Sequence, residues 1–204
     1  GLENTKALCA ITNEPAPLTI RPQGELSQED LVTQLQAEEA TTVSGRWTPY
    51  ALHLSHPAPF QSKSFSSGLW TAQDEASQLV VELLDPKPGD KIWDVCAAPG
   101  GKTLLIDWLT KGDAQILASD VSARKVEAMR TLSTQGTLNV MVADGRTAEH
   151  DQTFDKVLLD APCTALGIVR RHPEIRWRRS LSDVEASAAL QASLLRNAAQ
   201  HVSV

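Results

Sequence analysis

Cysteine is scarce in this chain of 204 residues: Cys9, Cys96 and Cys163 are its only three. Three scattered cysteines exclude a disulfide framework and lack the paired spacing of a zinc site, so no metal is expected. Long apolar runs are missing too. None approaches the ~20 residues that cross a bilayer, and Gly1 to Lys6 has no charged start leading into an apolar block. No membrane partner is expected, and the cytoplasm is the default location. Internal repeats and low-complexity tracts are absent. The net charge of −6 argues against a protein that coats nucleic acid by bulk electrostatics. The GxGxxG fingerprint of dinucleotide-binding folds is also lacking, which argues against a nicotinamide enzyme.

What is present fits a globular chain, 42% hydrophobic and 22% charged, able to hold one large domain and a small one. A small α/β unit is read from Pro15 to about Leu54. It has a strand over Pro17–Pro22, a helix capped by Ser27 with Asp30 and faced by Leu31, Val32 and Leu35, and a second strand over Tyr50–Leu54. A loop-rich stretch, His56–Gly68, follows. A helix is expected from about Ala72 to Leu84, capped by Thr71 with Asp74, burying Ala76, Leu79, Val80 and Leu83 and ended by Pro86, Pro88 and Gly89. Strands and helices then alternate: strand Lys91–Cys96, helix Gly101–Thr110, strand Gln115–Ser119, helix Ala123–Thr134, strand Leu138–Ala143, strand Lys156–Leu159 and a long helix over about Asp183–Gln200. Such alternation implies a parallel, helix-covered sheet. Four strands are few for such a sheet, so the domain is expected to be cut at its C-terminal end, leaving the fourth strand an exposed edge.

The richest stretch is DVCAAPGGKT, Asp94–Thr103, a glycine turn between an apolar strand and a helix. A strand turning sharply into a helix presents backbone N–H groups and a positive dipole end to a ligand. Gly100 and Gly101 let the backbone turn and a ligand come close. Asp120 follows Gly101 by nineteen residues, near the ~20 expected of an acid that binds ribose hydroxyls. A phosphate-binding loop is the competing reading, since the stretch ends GGKT; it needs glycine where Cys96 stands, and Pro99 removes an N–H that a phosphate nest uses. A turn that merely tightens the junction is the bland one. Asp144 and Asp160 follow the third and fourth strands, so three acids share the rim where parallel sheets bind ligands.

The pairing of DVCAAPGGKT with DAPCTALG, Asp160–Gly167, resembles the RNA cytosine methyltransferases that make 5-methylcytosine, and the continuation IVRRHPEIRW is most similar to the Sun/RsmB branch acting on small-subunit ribosomal RNA. The resemblance spans roughly Phe65–Val204. It implies a Rossmann-like, S-adenosylmethionine-dependent methyltransferase sheet, incomplete over residues 61–204, preceded by a small α+β RNA-facing subdomain over residues 1–60. Carbon 5 of cytosine is a poor nucleophile, so a thiolate first adds to carbon 6; the resulting enamine-like ring takes the methyl group, after which the carbon-5 proton leaves and the thiol is expelled.

By resemblance, Cys96, Ala97, Ala98, Pro99, Gly100, Gly101 and Lys102 wrap the methionine part of the cofactor, Asp120 holds the ribose and Asp144 lies by the adenine. Asp160 sits between cofactor and base. Cys163 assists product release; its bland reading is packing. The attacking cysteine of the family lies in a Thr-Cys pair, which these residues lack, so the fragment is expected to be inactive. Pro162-Cys163 resembles the nucleophile pair of DNA cytosine methyltransferases, but the cradle and the arginine tract fit the RNA type. Thr164-Ala165 departs from the Ser-Gly of many relatives.

Five arginines fall between Arg170 and Arg179. Arg170, Arg171 and Arg176 are expected to grip RNA backbone, beside Trp177. The bland reading pairs the tract with Glu174, Asp183 or Glu185. A noncatalytic RNA-binding module with the same fold is the alternative function, and a phosphate-loop NTPase the third.

Overall fold

The computed structural model describes residues 1–131 and 138–203. In chain order its elements are α1 (Leu2–Asn13), β1 (Leu18–Pro22), α2 (Gln28–Ala37), β2 (Thr41–Ser44), β3 (Leu52–Ser55), α3 (Lys63–Ser66), β4 (Trp70–Ala72), α4 (Glu75–Leu84), β5 (Lys91–Asp94), α5 (Gly101–Leu109), β6 (Gln115–Asp120), α6 (Ala123–Arg130), β7 (Leu138–Val142), β8 (Lys156–Leu158), α7 (Ile175–Arg178) and α8 (Leu181–Ala198). They form two compact units, one of Leu18–Ala161 with Leu194–Val204, the other of Gly1–Pro17 with Pro162–Ser193.

The first of these units holds both sheets. The small sheet, ordered β2-β3-β1-β4, is antiparallel. Alternation sorts the two faces of β1: Ile20 packs with Leu31 and Leu35 of α2 in an apolar cluster that includes Trp70, and Arg21, the next residue, points to the other face. Ser27 caps α2 as expected, its Oγ accepting from the Asp30 N–H at 3.1 Å. The small sheet runs past residue 60, because β4 pairs with Ile20–Pro22. That pairing also corrects the α4 reading. Ala72 belongs to a strand, so the helix starts at Glu75 and turns a different face inward. Gln78 and Val81 are buried, whereas Ala76, Val80 and Leu83 are exposed. A polar network replaces the expected apolar stripe: Gln78 donates to the Gln73 carbonyl and accepts from Thr48.

The large sheet is parallel and ordered β7-β6-β5-β8. The chain leaves β5 through α5 to β6, continues to β7 and crosses back to β8 on the other side of β5. This reversal puts the switch point, where such sheets bind ligands, at the carboxyl ends of β5 and β8. Central β5 is covered on both faces, Ile92 joining Leu105, Ile106, Ile116 and Leu158 on one side, and Trp93 lying fully buried on the other with its Nε1–H on Ser119. On the side of β8 away from Lys91, Phe154 forms a parallel bridge with Val202. The last three residues of the expected helix over Ala123–Thr134 overlap the stretch outside the described residues; α6 itself ends at Arg130.

In the other unit, α1 buries none of its residues; the sequence reading missed it. Ala165 takes a left-handed φ of 60°, the conformation glycine adopts most readily, at a position where the sequence departs from Ser-Gly.

Candidate active site

Every strand of the large sheet delivers an aspartate to the same rim: Asp94 ends β5, Asp120 ends β6, Asp144 follows β7 and Asp160 follows β8. The loop after β5 is fixed from both neighbours, since Val95 N–H donates to Leu158, Ala97 N–H to Ser119, and Ser119 Oγ to the Val95 carbonyl. The Ala98–Pro99 bond is cis, and Gly100 has φ 102°, open only to glycine at low cost. The first intrahelical bond of α5 runs from Leu104 N–H to the Gly100 carbonyl. Ahead of it, the N–H groups of Gly101, Lys102 and Thr103 face out of the helix end with the positive dipole, a donor set suited to a carboxylate.

Lys102 and Asp160 meet. Nζ lies 2.5 Å from Oδ2, joining the glycine turn to the first residue of DAPC across the switch point. Asp120 is nearly buried and accepts from the Ser122 N–H at 2.9 Å. Asp144 is gripped by Arg146, whose Nε and Nη2 both reach its carboxylate, and these bonds hold its pKa down at about 2. Gly145 beside it has no room for a side chain: a Cβ there would lie 2.5 Å from Val95 Cγ1 and 2.9 Å from Leu194 Cδ2. Asn197 of α8 holds the same turn through the Gly145 and Ala148 carbonyls.

Cys96 is half-buried, and burial, with the carboxylates of Asp120, Asp94, Asp160 and Asp144 around it, pushes its thiol up to about 11. It stays protonated at neutral pH and suits packing in the cradle. Asp94 was not singled out in the sequence as a site residue. It is buried, Oδ2 accepts from Thr103 at 2.7 Å, and Oδ1 has no hydrogen-bond partner among the described residues; burial pushes its carboxyl up to about 7. Its position as the last residue of the strand before a glycine turn was the signal available.

Cys163 belongs to the other unit. It is exposed, its Sγ accepts from the Ala165 N–H at 3.3 Å, and it opens on a hollow of about 190 Å³ lined also by Arg179, Ser187 and Leu190. Three arginines of the tract bond to the chain before β1: Arg170 donates to the Glu14 and Pro15 carbonyls, Arg171 to the Pro17 carbonyl, and Arg176 to the Thr12 carbonyl and Asn13 side chain. These bonds run to the C-terminal end of α1 and the segment after it, where cations complement the helix dipole. Trp177 stands 88% exposed.

A four-stranded parallel order reversing at a glycine turn, with acids at successive strand ends, defines a Rossmann-like methyltransferase sheet, a class whose cofactor is S-adenosylmethionine. Comparison with known proteins narrows the class. The profile of the 16S rRNA methyltransferase RsmB/F family matches residues 81–204. The chain is 38% identical over 200 residues to ribosomal RNA small subunit methyltransferase B of Cronobacter sakazakii, covering 93% of this chain and 46% of that protein. It superimposes on a methyltransferase homologue from Pyrococcus horikoshii with a TM-score of 0.82 at 30% identity, covering 95% of this chain and 63% of the other. The chain thus belongs to the RsmB/F family of 16S rRNA methyltransferases, and it spans about half the length of the curated relatives it matches.

Proposed function

We propose that this chain carries the methyl-donor site and part of the base site of an enzyme that methylates carbon 5 of a cytosine in small-subunit ribosomal RNA. The observation that carries the reading is the 2.5 Å contact between Lys102 and Asp160, which supports treating the glycine turn and the DAPC acid as parts of one site. When bound, S-adenosylmethionine supplies an electrophilic methyl group. The N–H groups of Gly101, Lys102 and Thr103 bind its carboxylate within the Cys96–Lys102 loop, Asp120 accepts from its ribose hydroxyls, and Asp144 lines the adenine end. Asp160, oriented by Lys102, accepts from the amino edge of cytosine and stabilises positive charge that develops on the ring. Cys163 serves expulsion of the thiol from carbon 6. Attack at carbon 6 is assigned to no residue here, since no Thr-Cys pair occurs among these 204 residues. Arg170, Arg171 and Arg176 contribute to RNA contact.

Calorimetric titration of the chain with S-adenosylmethionine tests the donor site: saturable binding that Asp120→Ala weakens at least tenfold is expected, and binding indifferent to Asp120 overturns the assignment. For the reaction, the full-length protein is incubated with S-adenosylmethionine and small-subunit ribosomal RNA, followed by bisulfite sequencing. A protected cytosine lost in Asp160→Asn is expected; a methyl group on ribose or on an exocyclic nitrogen overturns the carbon-5 reading. Binding of RNA without methyl transfer by the full-length protein favours the noncatalytic module instead.

A further inference from the structure

A buried arginine in the middle of the small sheet touches the donor cradle. Arg21 is 1% exposed on β1, and its three hydrogen-bond partners are all neutral: Nε donates to Gln73 Oε1 at 2.6 Å, Nη1 to the Pro22 carbonyl at 3.2 Å, and Nη2 to the Gly101 carbonyl at 3.1 Å. No ion pair to a carboxylate forms at it among the described residues. Burial draws its pKa down to about 10. A guanidinium held this way is costly for stability alone, since an apolar residue of the same length fills the space without the desolvation penalty. Its reach explains its presence. Gly101 is the first residue of α5, and its carbonyl already accepts within the helix, so Arg21 occupies the second lone pair. Gln73, which orients Arg21, packs beside the same glycine, its Nε2 lying 3.6 Å from where a Gly101 Cβ would stand.

We propose that Arg21 is a positioning residue for the methyl-donor cradle: with Gln73 it fixes the first turn of α5 from the small sheet, and so sets the direction in which the N–H groups of Gly101, Lys102 and Thr103 meet the donor's carboxylate. The small sheet and the cradle are thereby coupled through one side chain. The ligand half of this proposal rests on the reading of the glycine turn as the S-adenosylmethionine site; the coupling half does not.

Three variants of the 204-residue chain test it: Arg21→Met, Arg21→Lys and, as a control, Leu35→Ala, which opens the small sheet's own apolar cluster. Two readouts are used, amide hydrogen exchange of the free protein and calorimetric affinity for S-adenosylmethionine. In Arg21→Met, the Leu104 and Leu105 amides, which close the first turn of α5, are expected to exchange at least tenfold faster and the Kd for S-adenosylmethionine to rise at least tenfold. Arg21→Lys, keeping one donor, falls between Arg21→Met and the parent. Leu35→Ala is expected to lower Tm while leaving both readouts within about twofold. Should Arg21→Met fail to fold, Arg21→Lys carries the comparison. Unchanged exchange at Leu104 and Leu105, or a change that Leu35→Ala reproduces at equal loss of Tm, overturns the proposal. Failure of the parent chain to bind S-adenosylmethionine overturns the donor-site reading, and the exchange comparison still decides the coupling.

Discussion

The two sheets of the Leu18–Ala161 unit are equal in strand number and opposite in where they keep charge. The parallel sheet buries apolar residues along its central strands and gathers four acids at the carboxyl rim, where Asp94, Asp120, Asp144 and Asp160 stand in a row. The antiparallel sheet carries a cation inside a strand, Arg21, bonded to neutral partners and in no ion pair among the described residues. Strand direction is the cause. In a parallel sheet all carboxyl ends gather at one edge, so polar chemistry collects there and the interior can stay dry. An antiparallel sheet has no such common edge, and a polar group serving a neighbouring element must emerge from a face. Each sheet nonetheless anchors on one buried tryptophan whose indole N–H finds a serine, Trp93 on Ser119 at 2.9 Å and Trp70 on Ser64 at 3.0 Å.

Those tryptophans give the largest expected effect. Trp93→Ala and Trp70→Ala should each cost about 3–5 kcal/mol by emptying a buried site. Because both sheets fall in one compact unit, differential scanning calorimetry should show a single transition moved by either variant. A split into two transitions, each answering to one tryptophan, would break the comparison, since the sheets would then fold separately and no coupling through Arg21 could hold them together.

Next in size is Asp94→Asn. Burial raises the folded carboxyl to about 7, above its ordinary value near 4. Between those values the folded state binds a proton that the unfolded state has released, so stability is full below about pH 4 and falls as pH rises towards 7. Asparagine removes the titration and can still accept from Thr103. The difference in stability between variant and parent should therefore grow in the variant's favour from pH 4 to pH 8, reaching roughly a few kcal/mol at most. Urea titrations at the two pH values measure it; a parallel pair of curves would mean that Asp94 is ionised when buried.

Why the two sheets were unequally legible follows from the same contrast. Periodicity marks parallel β5 and β6 because both faces are apolar, and the glycine turn and rim acids punctuate their ends, so the cradle residues could be named by number. β4 is three residues long, Trp70–Ala72, and its pairing with β1 is a long-range fact invisible to local pattern. Missing it shifted the α4 phase and hid Gln73 and Gln78 as buried polar residues. Arg21 sits in a strand reading LTIRP, where alternation assigns it to the face opposite Ile20; a small sheet with one covered face makes that solvent, and only the presence of α5 makes it interior. The bonds from Arg170 and Arg176 to the end of α1 and the segment after it were hidden for a related reason: they run in part to backbone carbonyls, and carbonyls carry no sequence signature.

Gly145→Ala comes third. Its added methyl would meet Val95 and Leu194 at 2.5 Å and 2.9 Å, and overpacking of this kind costs about 1–3 kcal/mol. The clash falls on the turn bearing Asp144, so a weaker affinity for S-adenosylmethionine should accompany the lower Tm. Loss of Tm with unchanged affinity would detach this turn from the rim.

The smallest expected effect is on stability in Asp144→Asn, and it has the opposite sign of pH dependence to Asp94. Hydrogen bonds from Arg146 hold the folded carboxyl down at about 2, so its contribution is present above its ordinary value near 4 and is lost as pH falls from there towards 2. The pair is open to solvent, which screens it, and the contribution should stay under about 1 kcal/mol. Buried Asp94 therefore weakens the fold as pH rises from about 4 towards 7, and half-buried Asp144 weakens it only in acid; one rim holds both because burial dominates at the central strand and a neighbouring arginine dominates at the edge. Chemical denaturation of Asp144→Asn at pH 3 and pH 7 measures the difference. A loss larger at pH 3 than at pH 7, or one exceeding about 1 kcal/mol at pH 7, would show that the edge of the rim is governed by burial as its centre is.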